Sequence, residues 1–81
     1  MSYRMYLINR RLKLNLSMNK VCKLVKCSRQ HYYKVERGKS TTRLTFIFMC
    51  KIAYALDFTL EEMFINESKY LDSLEKKNEQ D

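Results

Sequence analysis

The sequence predicts an all-α fold, a compact bundle of five helices formed by a single chain of 81 residues. The chain contains no proline and only one glycine, so few residues interrupt helix formation. Apolar residues recur every three or four positions, which is the spacing of one helix face. Serine or threonine precedes several of these apolar series, at positions suited to cap a helix N-terminus.

The first two helices are predicted from a stop and a start signal. The first is expected over about Tyr3 to Leu14, and Asn15 is suited to end it because asparagine tolerates the left-handed conformation. Ser17 is the predicted N-cap of a second helix, Met18 to Val25. Their inward residues are Leu7, Arg11, Leu14, Val21, Cys22 and Val25.

The third helix is expected to begin after Ser28 and to end at Gly38. Its inner side carries Tyr32, Val35 and Glu36, whereas its outer side carries hydrogen-bonding and cationic groups without a carboxylate. The outward residues are Arg29, Gln30, Tyr33, Lys34 and Arg37. A helix with this division is suited to bind a polyanion, and DNA is therefore the leading partner.

A fourth helix is expected over about Thr45 to Leu56, after a polar loop. Its inner stripe is Phe46, Met49, Ile52, Ala53 and Leu56. Thr59 and Glu62 form a capping box that starts a fifth helix through about Asn66. Residues 1–66 are the predicted domain, and residues 67–81 are an acidic C-terminal extension that either continues the fifth helix or frays.

A structural ion pair is predicted between the first and third helices. Arg11 lies on the inward stripe, where a cation needs a partner. Glu36 is the only carboxylate before Asp57 and lies on the inner edge of the third helix. The alternative is that Arg11 extends to solvent along its aliphatic stem.

The net charge of +7 is unevenly distributed along the chain. Residues 1–39 hold eleven Lys or Arg and one acid, whereas residues 40–81 hold five Lys or Arg and eight acids. The first half therefore carries +10 and the second half −3, which favours a nucleic acid partner for the first half. The alternative is a solvated basic surface without a partner.

The remaining chemistry of the chain favours a cytoplasmic protein that is not an enzyme. Its apolar runs, such as Phe46 to Cys50, are far shorter than the roughly 20 residues of a membrane-spanning helix. The N-terminus has arginines where a secretion signal would be apolar. The three cysteines are interpreted as reduced, small apolar fillers rather than metal ligands, and a single histidine without an orienting acid predicts no catalytic site and no cofactor.

The ordered spacing of these residues resembles the Xre or Cro (lambda-repressor-like) family of helix-turn-helix DNA-binding domains. The resemblance covers about residues 5–65. The matching residues are Leu16-Ser17, Val21-Cys22, Val25, Cys27-Ser28, Tyr32, Val35-Glu36-Arg37-Gly38-Lys39, Ile52-Ala53, Leu56, Phe58 and Leu60 through Phe64.

The chain departs from the family pattern at four places. Lys26 stands in the turn where the family usually has glycine, which predicts a positive φ at a cost of about 1 kcal/mol. Cys22 replaces the usual alanine, and Met18 replaces a glutamine that often binds phosphate. The loop after Lys39 is slightly longer than the commonest version and lacks its proline.

The resemblance implies that the third helix lies in the major groove of DNA. The implied base contacts are Arg29, Gln30, Tyr33 and Lys34, with Arg29 suited to guanine and Gln30 to adenine. The implied phosphate contacts are Ser28, His31, Arg37, Lys39, Arg43 and the backbone amides near Met18 and Asn19. Simple solvation is the alternative for Lys34 and Arg37, and Tyr33 suits either a thymine methyl group or a phosphate.

The expected function is sequence-specific regulation of transcription, with repression as the expected outcome, by a homodimer on a near-palindromic site. The expected dimer surface is Ile47, Phe48, Tyr54, Ile65, Tyr70, Leu71 and Leu74. One alternative is an antitoxin that binds a toxin or another protein and for which DNA binding is secondary. Another is a non-specific binder of RNA or DNA.

Overall fold

The computed structural model describes residues 2–39 and 44–79 of the chain. Within these ranges it contains five α-helices and no strand, which confirms the predicted fold class. The helices are α1 Met5–Lys13, α2 Met18–Val25, α3 Arg29–Arg37, α4 Phe46–Ala55 and α5 Leu60–Glu79.

Hydroxyl side chains fix the starts of four helices, and three of these caps, at Ser17, Ser28 and Thr59, are predicted from the sequence. Ser17, Ser28 and Thr45 each accept a hydrogen bond at 3.1 Å from the backbone N–H three residues further on. At the start of α5 the bonds are reciprocal, because Thr59 Oγ1 accepts from the Glu62 N–H and Glu62 Oε1 accepts from the Thr59 N–H. These bonds satisfy donors that a helix start leaves without a partner.

Left-handed residues end four of the helices. Asn15, Lys26, Gly38 and Asp57 have φ between 55° and 63°. Lys26 thus adopts the positive φ predicted for it, and its backbone N–H donates to the Cys22 carbonyl oxygen at 2.8 Å. The short turn between α2 and α3 is therefore made without glycine, at a conformational cost of about 1 kcal/mol.

The core lies between the inner faces of all five helices. Its buried apolar residues are Leu7, Val21, Cys22, Val25, Tyr32, Val35, Ile52, Ala53, Ala55, Leu56 and Met63. Two predicted inward residues are exposed instead, Leu14 at 37% and Phe46 at 65%. Leu14 comes after the last residue of α1 and Phe46 is the first residue of α4, so neither lies deep enough along its helix to reach the core.

The two ends of the described chain depart from the predicted boundaries. Residues 2–4 are not helical, and the Arg4 backbone N–H donates to the Glu36 carbonyl oxygen at 2.8 Å. At the other end, α5 crosses position 66 without a break and runs to Glu79. Helical continuation is therefore the correct alternative for residues 67–79, while the domain boundary at residue 66 stays a prediction.

An ion pair connects α1 to α3. Arg11 Nε donates to Glu36 Oε2 at 2.8 Å, and Arg11 Nη2 donates to Glu36 Oε1 at 3.3 Å. Glu36 is 1% exposed. The pair predicted from the sequence is therefore present in the structure, with both carboxylate oxygens accepting from the same guanidinium.

A second ion pair, which the sequence analysis missed, connects the N-terminal segment to α5. Arg4 Nε and Nη2 donate to the two oxygens of Glu67 at 3.0 and 2.9 Å. The Tyr6 hydroxyl also donates to Glu67 Oε1, and Arg4 Nη1 donates to the Val35 carbonyl oxygen at 2.9 Å. This network ties residues 2–6, the C-terminal part of α3 and the middle of α5 together.

The cysteines of the described chain are free thiols. Cys22 belongs to the core, Cys27 packs against it and Cys50 is half-buried. Burial raises the pKa of both Cys22 and Cys27, which favours their protonated form. Among residues 2–39 and 44–79, no group of three or more His, Cys, Asp or Glu is placed to hold a metal ion.

Candidate nucleic-acid interface

The outer side of α3 presents its polar and cationic side chains on one surface. Arg29, Gln30, Tyr33 and Lys34 are exposed, and they line an open depression of about 490 Å³ together with Lys39. No acidic side chain lines this depression. The four predicted base-contacting residues therefore lie side by side and face solvent.

The inner side of α3 holds this surface in place. Tyr32 is fully buried and Val35 is 2% exposed, and Glu36 is fixed by its ion pair with Arg11. Burial, and then the nearby Glu36 carboxylate, raise the pKa of Tyr32 well above its ordinary value. Because α3 is anchored by both apolar and charged contacts, its outward side chains project from a rigid element.

Aromatic rings and cations alternate at the C-terminal end of the same surface. The Arg37 guanidinium lies 4.9 Å from the Tyr33 ring centroid, and Lys39 Nζ lies 5.2 Å from it. Arg37 also lies 4.8 Å from the ring centroid of Tyr3, whose hydroxyl accepts a bond from Arg37 Nη1 at 2.9 Å. We call Tyr3, Tyr33, Arg37 and Lys39 the aromatic–cation cluster.

The hydrogen bond to Tyr3 raises the pKa of Arg37 above its ordinary value. A cation over an aromatic ring is further stabilised by the ring quadrupole. Arg37 is therefore a permanent positive charge held in a defined place, next to the predicted base-contacting residues.

The predicted phosphate contacts lie around the depression and at the start of α2. Ser28 and His31 are exposed at the first turn of α3, and the His31 ring packs against Phe48 at a centroid distance of 5.0 Å. Asn19 is exposed, whereas Met18 is partly buried against the core. Arg43 lies outside the described residues.

The structure places the predicted dimer residues in different environments. Ile47 and Tyr54 are 63% and 79% exposed, and they line a groove together with Leu24. Ile65 is 42% exposed on α5, and Leu71 and Leu74 are partly buried there. Ile47 and Tyr54 thus form the most accessible part of the predicted dimer surface.

Two of the predicted dimer residues are already engaged within the chain. Phe48 packs against the core and His31. Tyr70 lies under the Arg4 guanidinium at 4.4 Å, and its hydroxyl donates to the Ser2 carbonyl oxygen at 2.9 Å. Their packing inside the monomer limits the area they can offer to a second copy.

Two helices joined by a short turn, with the second exposing a basic and amide-bearing side, define a helix-turn-helix DNA-binding protein. The chain belongs to that family, because the helix-turn-helix family model HTH_3 matches residues 7–63. The matched range contains α2, α3 and α4 completely. Membership makes the protein a DNA-binding transcriptional regulator rather than an enzyme.

The fold is also similar to a solved structure, the restriction-modification controller protein C.AhdI from Aeromonas hydrophila. The two chains are 27% identical, with a TM-score of 0.66. The similarity covers 74% of this chain and 88% of C.AhdI. No curated protein sequence matches the chain.

None of the described helices is long and apolar enough to cross a bilayer.

Proposed function

We propose that this protein binds a specific near-palindromic operator as a homodimer and represses transcription from it. The observation that carries the proposal is the shared exposure of Arg29, Gln30 and Lys34 on the outer side of α3. Their donors suit base edges in the major groove. The likeness to a restriction-modification controller supports a regulatory role, and from a DNA target we infer that the protein acts in the cytoplasm.

Each side chain of the surface has a proposed role. Arg29 and Gln30, in the first turn of α3, read a guanine and an adenine edge. Lys34 and Tyr33 contact bases one turn further along. The phosphates are held by Ser28, His31, Arg37, Lys39, Arg43 and the first amides of α2.

The proposed dimer uses the exposed apolar surface that a monomer leaves uncovered. The side chains of Ile47 and Tyr54 are more than 60% exposed, and contiguous apolar surface of this kind marks a protein contact. A two-fold dimer of such domains places its two α3 helices about 34 Å apart, one turn of DNA. Each half-site then has the same sequence in opposite orientation.

Selection of bound sequences from a pool of random duplexes tests this proposal. We expect an enriched motif with two-fold symmetry and half-sites about one helical turn apart. The selected duplex should be bound at least about 10³-fold more tightly than random duplex. Equal affinity for selected and random duplex would refute specific recognition and favour the non-specific alternative.

Two matched substitutions then separate base reading from phosphate binding. Arg29→Ala should cost roughly 1–3 kcal/mol and relax the preference at one base pair, because a bidentate guanine contact is lost. Lys39→Ala should weaken binding to all sequences alike and lower the salt slope by about one. Repeating the selection with each variant checks the assignment; an unchanged motif for Arg29→Ala would place Arg29 away from the bases.

An interaction role is the second candidate, and one observation favours it. Phe46, Leu60 and Phe64 lie outside the proposed dimer set, yet more than half of each side chain is exposed. If the protein neutralises a toxin through these residues, a neighbouring-gene product should co-purify with it. A chain that purifies alone and binds its selected duplex supports the regulator instead.

A further inference from the structure

We propose that Tyr3, in the non-helical segment before α1, is part of the DNA-binding surface and positions Arg37 for a DNA phosphate. This inference rests on the proposed DNA-binding role of the outer side of α3. It assigns a DNA-binding task to a part of the chain that precedes the helix-turn-helix elements.

The aromatic–cation cluster restricts the position of the Arg37 side chain. The Arg37 guanidinium lies 4.8 Å from the Tyr3 ring centroid and 4.9 Å from that of Tyr33. Arg37 Nη1 donates to the Tyr3 hydroxyl at 2.9 Å. Two rings and one hydrogen bond therefore restrict a side chain that would otherwise sample many rotamers.

The aromatic–cation cluster leaves the Arg37 guanidinium available to an anion. A guanidinium has five N–H donors in its plane, and one of them is used by Tyr3. Lys39 Nζ lies on the same Tyr33 ring at 5.2 Å, which brings a second positive charge close by. A phosphate oxygen is the ligand that such paired cations favour.

The segment that carries Tyr3 is itself held in place by hydrogen bonds to the rest of the bundle. The Arg4 backbone N–H donates to the Glu36 carbonyl oxygen at 2.8 Å, and Arg4 Nη1 donates to the Val35 carbonyl oxygen at 2.9 Å. On the other side of Tyr3, the Ser2 carbonyl oxygen accepts from the Tyr70 hydroxyl at 2.9 Å. Both neighbours of Tyr3 are therefore held against the C-terminal end of α3 and against α5.

Gly38 makes this close approach possible. A Cβ atom at this position would overlap the Ser2 carbonyl oxygen and would lie 2.7 Å from the Tyr70 hydroxyl oxygen. The glycine thus serves both the left-handed end of α3, with φ 63°, and the packing of the segment that carries Tyr3. Tyr3 remains 43% exposed, and it lies beside Arg37 near the outer side of α3.

A double-mutant cycle over a salt series tests the proposal. The variants are Tyr3→Ala, Arg37→Ala and the double variant, with Tyr3→Phe to remove the hydroxyl alone. Met5→Ala is the matched control, because Met5 is a similarly exposed side chain two residues away. Affinity is measured on the selected duplex and on random duplex at about 50 to 200 mM salt, a range over which loss of phosphate contacts lowers affinity steeply.

We expect Arg37→Ala to weaken binding to both duplexes and to lower the salt slope by about one. Tyr3→Ala should weaken binding by roughly two- to 150-fold, the coupling range of contacting residues, and should also lower the slope. In the Arg37→Ala background, Tyr3→Ala should have almost no further effect. Tyr3→Phe should lose part of the affinity, and Met5→Ala should leave both quantities unchanged.

Several outcomes would overturn the proposal. If Tyr3→Ala weakens binding equally with and without Arg37, Tyr3 acts only through the stability of the segment, and the positioning role is wrong. An unchanged salt slope in Tyr3→Ala would also refute it. The failure of the proposed function is seen separately, because wild-type protein would then bind selected and random duplex alike, whereas the cycle can still be completed on random duplex.

Discussion

The two buried ion pairs of the bundle differ in depth and in the number of bonds that support them. The side chains of Arg4 and Glu67 are 2% and 5% exposed, and Glu67 accepts from two guanidinium nitrogens and from the Tyr6 hydroxyl. The side chains of Arg11 and Glu36 are 15% and 1% exposed, and Glu36 accepts from Arg11. The deeper pair has more donors because desolvated charges are costly unless every polar atom has a partner.

The difference also concerns what each pair connects. Arg11 and Glu36 both lie within residues 7–63, the range that the helix-turn-helix family model matches. Arg4 and Glu67 lie outside the matched residues 7–63, and they join the start of the chain to its last helix. One pair thus lies inside the range that the family model matches, and the other lies outside it.

The largest effect is expected from Glu67→Gln. It leaves the Arg4 guanidinium buried without a counter-charge, so we expect the free energy of unfolding to fall by about 3–5 kcal/mol. Urea unfolding followed by circular dichroism measures it. Replacing both partners by apolar residues of similar volume should recover much of the loss; no recovery would mean that the pair stabilises the fold in its own right.

A smaller effect is expected from the matched change Glu36→Gln. Arg11 is 15% exposed and can move its charge toward water along its stem, so the loss should be about 1.5–3 kcal/mol, the range for hydrogen bonds to charged groups. The same urea titration compares the two variants directly. A loss equal to or greater than that of Glu67→Gln would show that burial depth does not rank the pairs.

The smallest effect on the free energy of unfolding is expected from the tyrosine hydroxyl beside each ion pair. Burial, and then Glu67 for Tyr6 and Glu36 for Tyr32, raise the pKa of both hydroxyls far above the ordinary value. In the unfolded chain they ionise near pH 10, so the stability that this shift contributes is complete below about pH 10 and is lost as the pH rises further. Unfolding free energies between about pH 8 and 11 should therefore decline, with a smaller decline in Tyr6→Phe and in Tyr32→Phe.

The same two substitutions also separate the two networks at neutral pH. The buried Tyr32 hydroxyl has no hydrogen-bond partner among the described residues, whereas the Tyr6 hydroxyl donates to Glu67. Tyr32→Phe should therefore cost less than Tyr6→Phe at pH 7. The reverse order would mean that the Tyr32 hydroxyl donates to Glu36, as the Tyr6 hydroxyl donates to Glu67.

The contrast explains why the sequence predicts one pair and not the other. Glu36 is the only acid before Asp57, so a buried Arg11 had one candidate partner. Eight acids after residue 56 were candidate partners for Arg4. Glu67 also lies in the segment 67–81, for which the sequence left open whether it extends the fifth helix or frays. The helical spacing did indicate that both charged residues face inward. Arg4 stands three residues before Leu7 and Glu67 stands four residues after Met63, and Leu7 and Met63 are both fully buried.

Local signals predicted most of the fold. Hydroxyl caps and left-handed stops are properties of a few adjacent residues, and they place α2 and α3 at the predicted bounds. The exposed groups of α3 follow from its periodicity for the same reason. Tyr3 could not be assigned to this surface, because its place beside Arg37 depends on contacts with α3 and α5 that no local pattern encodes.

The bond between Arg4 and Glu67 spans 63 positions of the chain. During synthesis it cannot form until residue 67 has left the ribosome, whereas α1 to α4 are complete well before that point. A nascent chain can thus contain α3 before the Arg4–Glu67 ion pair that fixes the segment carrying Tyr3 has formed. If Tyr3 positions Arg37 as proposed, α3 alone therefore does not bind DNA with the affinity of a chain in which α5 has formed.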